Sequence, residues 1–397
     1  MTVKNNITLA RCSAYQASSV RAALSRVCEP FGGIADIVRP GDTVLVKPNL
    51  LSPRDPSNSV TTHPVVVSEI VKAGLQAGAK RIWVGDSCAG DHTDEELWRK
   101  TGMLDAVPQS GGILKSFNAE PEQRVCGNEK VPVPSWLREV DRFISVPKLK
   151  THSLTGITCA LKNSFGLVCG KAKSFKHAKH LSPRSMSEFL LEVHTIFPPD
   201  FILVDAVSVM EGDGPANGNA RNLGLLVGGT DATAVDMICA KAFYKNPYRT
   251  PMLAAAEAHR FGCWQEKDIQ LQGEDPSALQ TASFKKSWAG LLDCFPETLF
   301  QMAGRLLPIH PRIDIDRCRG CGICARICSQ KAITYDEIGQ RYIIASKNCI
   351  LCFCCCESCP YGAITPIPRP RIFRRLRASI TKIASKIQGK TINQNPK

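Results

Sequence analysis

Short apolar runs recur along the first three quarters of the chain, separated by polar and glycine-containing segments. Runs of this length, rich in Val, Ile and Leu and without a polar face, are typical of strands buried on both faces of a sheet. We predict five such strands, at residues 43–47, 81–85, 142–146, 201–205 and 223–228.

Two longer segments repeat apolar residues at helical spacing. Residues 63–79 (HPVVVSEIVKAGLQAGA) form the first, and residues 231–245 (DATAVDMICAKAFYK) form the second, which begins at Asp231, a predicted N-cap. Strands that alternate with helices predict an α/β fold with a mostly parallel sheet and flanking helices. We assign residues 1–285 to this α/β domain.

Eight cysteines near the C-terminal end repeat the spacing C-x2-C-x2-C-x3-C twice. This is the spacing of bacterial two-cluster ferredoxins, in which the fourth cysteine of each run ligates the other cluster. It predicts two 4Fe-4S clusters. The first set of ligands is Cys318, Cys321, Cys324 and Cys359, and the second is Cys349, Cys352, Cys355 and Cys328.

A zinc site or a set of disulfides is the alternative for these cysteines, but zinc sites usually show paired C-x2-C runs. Two details depart from the ferredoxin pattern. Ser329 follows the first run where proline is usual, and Cys354 and Cys356 add thiols inside the second run, which leaves another ligand set open. The scattered cysteines elsewhere are predicted to be small buried hydrophobic residues.

The cysteine runs define a small α+β ferredoxin-like domain at residues 312–367, in which a cysteine run and a short apolar segment occur twice. Residues 286–311 contain three prolines and are predicted to be a linker. Residues 368–397 form a separate C-terminal tail.

The net charge of +14 is concentrated in two segments, 142–187 and 368–397, each with nine Lys or Arg and no Asp or Glu. The first includes residues 171–180, predicted to be a basic loop or lid rather than a histidine metal pair. In the second, six apolar residues fall on one side of a helix. Such a helix favours binding to an anionic membrane surface or a partner groove. A helix docked on its own domain or a disordered tail is the alternative, and nucleic acid is disfavoured because no recognition motif is present.

The absence of a recognisable targeting signal in the sequence favours a cytoplasmic protein. The first residues, MTVKNNITLARC, lack the apolar core of a signal peptide, and no uncharged apolar run reaches the ~18 residues of a membrane span. Free thiols that bind metal also suit a reducing compartment. We expect a cytoplasmic location, with the tail as a candidate for peripheral membrane attachment.

Polar residues follow several predicted strands, and the carboxyl ends of parallel strands meet at one edge of a sheet. We therefore predict a shared cleft in which lysines attract an anion and carboxylates hold a metal or move protons. Turn chemistry alone is the alternative for these residues. The catalytic candidates are Lys47, Lys148 and His152, and the substrate-binding candidates are Asn49, Asp86, Lys150, Lys162, Asn163, Glu211 and Asp213.

Several motifs in this region together resemble family 362 of the domains of unknown function, over about residues 40–245. They are VLVKPNLL (44–51), TTHP (61–64), VGDS (84–87), SVPKLKTHSLTGITCALKNSFG (145–166), VDAVSVMEGDGPANG (204–218) and TDATAVD (230–236). The resemblance implies a domain that is often fused to a bacterial-type ferredoxin module, and it implies no particular reaction.

The sequence therefore predicts an iron–sulfur redox protein that passes electrons through two clusters to a small anionic substrate or cofactor in the cleft. The alternative is a non-enzymatic electron-transfer or cofactor-assembly protein that docks a redox partner, and a third interpretation makes the clusters structural. No G-x-G-x-x-G motif opens a helix, and no P-loop or G-x-S-x-G motif is present, so a dinucleotide site, a P-loop site and a hydrolase elbow lack support.

Overall fold

The computed structural model describes residues 5–88, 90–280, 284–285 and 309–368. The predicted linker, except residues 309–311, and the predicted tail, except residue 368, lie outside the described residues.

The strands are β1 (Asn5–Arg11), β2 (Thr43–Pro48), β3 (Arg81–Val84), β4 (Ile113–Leu114), β5 (Pro121–Cys126), β6 (Glu129–Pro134), β7 (Arg142–Val146), β8 (Lys148–His152), β9 (Gly156–Thr158), β10 (Phe201–Glu211), β11 (Asn219–Gly229), β12 (Ile269–Gly273), β13 (Ile309–Ile313), β14 (Ile333–Asp336), β15 (Arg341–Ile344) and β16 (Ile364–Pro368). The α-helices are α1 (Ala17–Cys28), α2 (Ile34–Ile37), α3 (Pro64–Gln76), α4 (Asp94–Lys100), α5 (Met103–Gln109), α6 (Ala160–Asn163), α7 (Ala172–Lys179), α8 (Pro183–Ile196), α9 (Ala232–Ala240), α10 (Pro251–His259), α11 (Ser277–Gln280), α12 (Ile323–Ile327) and α13 (Cys354–Ser358). Within the described ranges, no helix combines the length and the apolar character needed to cross a membrane.

One mixed sheet of ten strands organises the large domain, in the order β12-β1-β11-β10-β7-β2-β3-β4, with β8 paired to β10 and β9. The strands β10, β7, β2, β3 and β4 are mutually parallel, whereas β11 runs antiparallel to β10 and β1. All five predicted strands lie in this sheet, and the predicted α/β class is confirmed. The prediction that Asp205 ends its strand is wrong, because pairing with β11 extends β10 to Glu211 past an irregularity after Ala206.

Helices cover both faces of the sheet. Along β2, Val44 and Val46 contact the apolar layer that includes residues of α1 and α3, while Leu45 contacts the layer that includes residues of α8 and α9. Successive side chains of a strand point to opposite faces, so a strand between two helical layers needs apolar residues at every position. This double burial explains the continuous apolar runs in the sequence.

The small domain repeats one unit twice. Helix α12 is followed by β14, and α13 is followed by β16, with β13 paired to β16 and β14 to β15. The loops before the two helices also match, because Gly320 and Gly322 have φ of +65° and +72°, and Leu351 and Phe353, at equivalent positions, have φ of +62° and +58°. Left-handed backbone costs a non-glycine residue about 1–2 kcal/mol. Both cysteine loops therefore adopt one wrapped conformation, even where the side chain opposes it.

Candidate functional site

A narrow cleft of about 50 Å³ lies between the two domains. From the large domain it is lined by Asn49 after β2, Asp86 after β3 and Lys150 on β8. The carboxyl edge of the sheet therefore gathers polar residues from separate strands, as expected for an open α/β sheet. The facing side is helix α13, which contributes Cys354, Glu357 and Ser358.

Hydrogen bonds hold α13 against the large domain. Nη2 of Arg54 donates to the carbonyl of Cys359 at 2.5 Å, and Nε2 of His92 donates to the carbonyl of Ser358 at 3.1 Å. Both acceptors are backbone carbonyls at the C-terminal end of the helix, which lack partners within the helix itself. The small domain is therefore a fixed part of the cleft.

Lys47 forms a buried ion pair beside the cleft. Its Nζ lies 2.8 Å from Oδ1 of Asp86, and Oδ2 of Asp86 accepts a hydrogen bond from the backbone N–H of Leu50 at 2.7 Å. Burial lowers the pKa of Lys47, and the charge of Asp86 opposes that shift. A β-carbon on Gly166 would overlap both charged groups, so glycine permits this close approach. Lys47 therefore supports Asp86 and does not itself line the cleft.

Lys148 belongs to a separate buried network. Its Nζ donates to Oδ2 of Asp205 at 2.9 Å and to the hydroxyl of Tyr15 at 2.6 Å, and Tyr15 also donates to Oδ1 of Asp205 at 2.8 Å. Both side chains of the ion pair are fully buried. The structure does not bring Lys148 to the cleft, and its charge is balanced by Asp205.

Lys150 is the buried strand lysine that does line the cleft. Its Nζ donates to Oδ1 of Asn49 at 2.8 Å and to the carbonyl of Val60 at 2.6 Å. Burial, together with the positive charges of Lys162 and Lys148, lowers the pKa of Lys150 well below its ordinary value. Its amine is thus held by neutral oxygens.

The acid-free segment 142–187 supplies the rest of the positive lining. Residues 171–180, predicted as a loop, instead contain helix α7, and Lys173, Ser174 and His177 of that helix line the cleft. Lys162 of α6 joins them. Burial lowers the pKa of Lys173 to about 8 and that of His177 to about 4.

His152 does not line the cleft but lies next to Glu357, which does. Its Nδ1 accepts hydrogen bonds from the backbone N–H groups of Leu154 and Thr155, at 3.0 and 3.2 Å, so the proton of the neutral ring resides on Nε2. That Nε2 lies 3.5 Å from Oε1 of Glu357. Burial lowers the pKa of His152 to about 3, which keeps the ring neutral.

Of the remaining predicted residues, Asn163 orients side chains of the cleft, whereas Glu211 and Asp213 do not line it. Oδ1 of Asn163 accepts hydrogen bonds from Nζ of Lys47 and Nδ2 of Asn49, both at 3.3 Å, so Asn163 orients residues of the cleft from behind. Glu211 lies 3.1 Å from Arg221 and accepts a hydrogen bond from the backbone N–H of Lys285. Neither Glu211 nor Asp213 is among the described residues that line the cleft.

The sequence did not identify Lys173 or the residues of α13 as parts of the site, nor Asp236 as the residue that positions α6. Asp236 caps α6, because its carboxylate accepts hydrogen bonds from the backbone N–H groups of Ala160 and Leu161 at 2.6 and 3.3 Å. Burial raises the pKa of Asp236 to about 7. The acid-free charge pattern could have indicated Lys173, whereas no local pattern places α13 against the sheet.

Two further cavities lie inside the small domain, each bordered by four of the eight spaced cysteines. Each takes three cysteines from one run and the last cysteine of the other run. Cys354 also lines the second cavity, whereas Cys356 lines neither. The first set is Cys318, Cys321, Cys324 and Cys359, and the second is Cys328, Cys349, Cys352 and Cys355.

The chemistry of these cavities fits iron–sulfur clusters. Among the described residues, no three His, Cys, Asp or Glu side chains converge on a point where one metal ion would sit. A 4Fe-4S cluster spreads its four cysteine ligands around a larger body than a single metal ion. The Sγ atoms of Cys328 and Cys359 also accept backbone N–H hydrogen bonds from Ala332 and Ala363, at 3.2 and 3.3 Å. Soft sulfur ligands with N–H donors around an enclosed space are what a 4Fe-4S cluster needs.

Comparisons with known proteins match two regions of the chain. The family model described as a domain of unknown function (DUF362) matches residues 44–241, and the model for a 4Fe-4S dicluster domain matches residues 317–363. The thylakoid-associated protein sll1697 of Synechocystis is 31% identical over 264 residues, which cover 64% of this chain and 78% of that protein. A ferredoxin from Thermococcus litoralis is 38% identical over 53 residues, which cover 13% of this chain and 90% of the ferredoxin.

The solved structures that align with this chain share less sequence identity with it than these two relatives do. The lactate racemase apoprotein from Thermoanaerobacterium thermosaccharolyticum aligns with a TM-score of 0.37 and 15% identity, over 58% of this chain and 55% of that chain. A protein from Thermotoga maritima aligns with a TM-score of 0.35 and 14% identity, over 66% of this chain and 61% of that chain. This chain therefore spans less than two thirds of either solved chain.

Proposed function

Because the chain belongs to the DUF362 family and carries a 4Fe-4S dicluster domain, we propose that it binds a small anionic substrate or cofactor in the interdomain cleft and reduces it. Two clusters are part of the proposal, one for each four-cysteine cavity. When bound, such clusters supply electrons at potentials set by their surroundings. Cytoplasmic location and oxidoreductase activity belong to the same proposal.

Helix α13 connects the cleft with the two cluster cavities. Its residues Cys354, Glu357 and Ser358 line the cleft, while Cys355, inside the helix, and Cys359, directly after it, border the two cluster cavities. A molecule in the cleft would therefore contact the segment that supplies a ligand to each cluster site. This shared helix supports electron transfer within the chain better than two separate binding functions.

The lining of the cleft favours an anion. The carboxylate of Asp86 is paired with Lys47. Among the described residues of the lining, Glu357 is the other carboxylate, whereas Lys162 and Lys173 contribute amines that can carry a positive charge. Charges in a partly buried cleft interact more strongly than in water. In our proposal Lys162 and Lys173 hold the anion, and His152 acts on it only through Glu357.

The proposal predicts that the reduced full-length protein passes electrons to a small organic anion. Protein reconstituted anaerobically with iron and sulfide is reduced with dithionite, freed of excess reductant and mixed with a panel of oxo acids, enoic acids and phosphorylated carbonyl compounds. We expect at least one compound to restore the oxidised visible spectrum faster than buffer does. Lys162→Gln should slow that reaction by about tenfold or more, equivalent to at least about 1.4 kcal/mol of lost interaction.

The matched control is Lys100→Gln, which removes an exposed lysine outside the cleft and should leave the rate unchanged. Equal rates for wild type and Lys162→Gln would contradict an anion site in the cleft. If no anion reacts but a protein partner reoxidises the clusters, the non-enzymatic electron-transfer alternative is favoured.

Attachment to an anionic membrane surface is a second proposal, motivated by the basic tail and by the thylakoid association of the cyanobacterial relative. We expect full-length protein to float with liposomes that contain anionic lipid, and protein truncated after Pro368 to lose most of that binding. High salt should weaken flotation because the attraction is electrostatic. Equal flotation of the two proteins would eliminate the tail as the anchor.

A further inference from the structure

Lys150 differs from the other buried lysines at the sheet edge. Lys47 and Lys148 each have a carboxylate within 3 Å, at 2.8 and 2.9 Å. Within the described parts of the chain, Lys150 has no carboxylate within ion-pairing distance, although it is fully buried and lines the cleft. A buried amine without a counter-ion is destabilised in its charged form.

The hydrogen bonds of Lys150 match those of a neutral amine. A neutral amine has two N–H donors and one lone pair, and the two acceptors are Oδ1 of Asn49 and the carbonyl of Val60. The Asn49 oxygen is fixed in this direction because Nδ2 of Asn49 donates to Oδ1 of Asn163. Asn163 is fixed in turn, since its own Nδ2 donates to the hydroxyl of Ser145 at 2.9 Å. The lone pair of Lys150 is left over for a ligand.

The positive charges around Lys150 also favour its neutral form. Lys162 and Lys148 lower its pKa together with burial, and the carboxylates of Glu357 and Asp86 oppose them only in part. Lysines with a depressed pKa, next to a second cation in a desolvated pocket, are the ones that form Schiff bases with carbonyl substrates. Lys162 also provides an adjacent cation for an anionic group on such a substrate.

We propose that Lys150 is a catalytic nucleophile that forms an imine with the carbonyl carbon of an oxo acid. This inference rests on the proposed anion site, because Lys162 and Lys173 would hold the carboxylate of the same molecule. The Nζ–C bond forms, the carbonyl C–O bond breaks, and the two amine protons leave with the oxygen as water. No oxidant or reductant is consumed in this step, and hydrolysis reverses it.

The cleft holds another unused polar atom. His177 lines the cleft, is 4% exposed, and its Nδ1 has no hydrogen-bond partner among the described residues. A buried polar atom without a partner is costly, so it indicates space for a group that is not part of the chain. A carbonyl-derived hydroxyl or a carboxylate oxygen has the chemistry to satisfy it.

Reductive trapping tests the inference on the full-length reconstituted protein. Glyoxylate with cyanoborohydride, near neutral pH and without oxygen, converts an imine into a stable carboxymethyl amine that peptide mass spectrometry locates. We expect Lys150 to be modified at least tenfold faster than exposed Lys100, because the amine of Lys150 is neutral. Lys150→Met, which brings no charge into this buried position, should lose the cleft adduct.

Formaldehyde separates the amine from the anion site, since it carries a carbonyl and no charge. We expect formaldehyde to modify Lys150 in both wild type and Lys162→Gln, and glyoxylate to modify it at least tenfold more slowly in Lys162→Gln. If neither reagent modifies Lys150 faster than Lys100, the inference is overturned while the proposed redox function stands. If formaldehyde alone modifies Lys150, and glyoxylate fails even in wild type, the oxo-acid assignment and the proposed anion site fail together.

Discussion

Replacing Cys321 by alanine is expected to remove about half of the iron from the reconstituted protein. Cys321 is exposed and borders the first cluster cavity, so the substitution deletes a ligand without disturbing a packed core. Two 4Fe-4S clusters predict about eight irons per wild-type chain and about four in this variant. Iron analysis and the visible spectrum measure the loss, and Cys349→Ala should cause an equal loss from the second site.

The matched control lies within the second cysteine run. Cys356 is as buried as its neighbour Cys355 but borders neither cavity, so Cys356→Ala should keep the full iron content. Cys355→Ala should lose iron, because Cys355 borders the second cavity. Equal iron in Cys355→Ala and wild type, with loss in Cys356→Ala, would show that the run uses the other ligand register.

Lys148→Met is expected to destabilise the protein by about 3–5 kcal/mol, because it leaves the fully buried carboxylate of Asp205 without its cation. The 2.9 Å pair lies away from the cleft, so the loss should appear in stability and not in anion binding. Urea unfolding followed by tryptophan fluorescence measures the first, and calorimetric titration with phosphate measures the second.

Lys150→Met provides the comparison. It removes two hydrogen bonds to neutral oxygens and isolates no carboxylate, so it should cost about 1–3 kcal/mol. Anion binding should stay close to that of wild type, because Lys162 and Lys173 hold the anion and the amine of Lys150 is neutral. A larger stability loss for Lys150→Met than for Lys148→Met would contradict the assignment of these two lysines.

The apolar runs were sufficient to predict five of the ten strands of the sheet. Strands such as β2 lie between two helical layers, so burial alone dictates their composition over their whole length. Strand β10 was predicted only in part, because its second half pairs with β11 and contains polar residues such as Ser208. Sequence spacing also assigned four cysteines to each cavity, because the ligand pattern is local and repeated.

The roles of the lysines could not be predicted from the sequence. Lys148 meets Asp205, which is 57 residues away along the chain, and only the fold shows that this pair is buried outside the cleft. Ser358 meets His92 from 266 residues away. The first contact depends on the pairing of β8 with β10 and the second on the docking of the two domains, and no periodicity or motif encodes either. The sequence therefore identified the residue types of the site without showing which of them line it.

In the proposed function, the anion in the cleft lies beside an iron–sulfur cluster. The direct measurement is ³¹P electron–nuclear double resonance on the dithionite-reduced, full-length protein with phosphate as the probe anion. The account predicts a resolved coupling between the ³¹P nucleus and the unpaired electron of a reduced cluster, with that coupling lost in Lys162→Gln. Phosphate that binds by calorimetry but shows no coupling would place the anion far from the clusters and contradict the account.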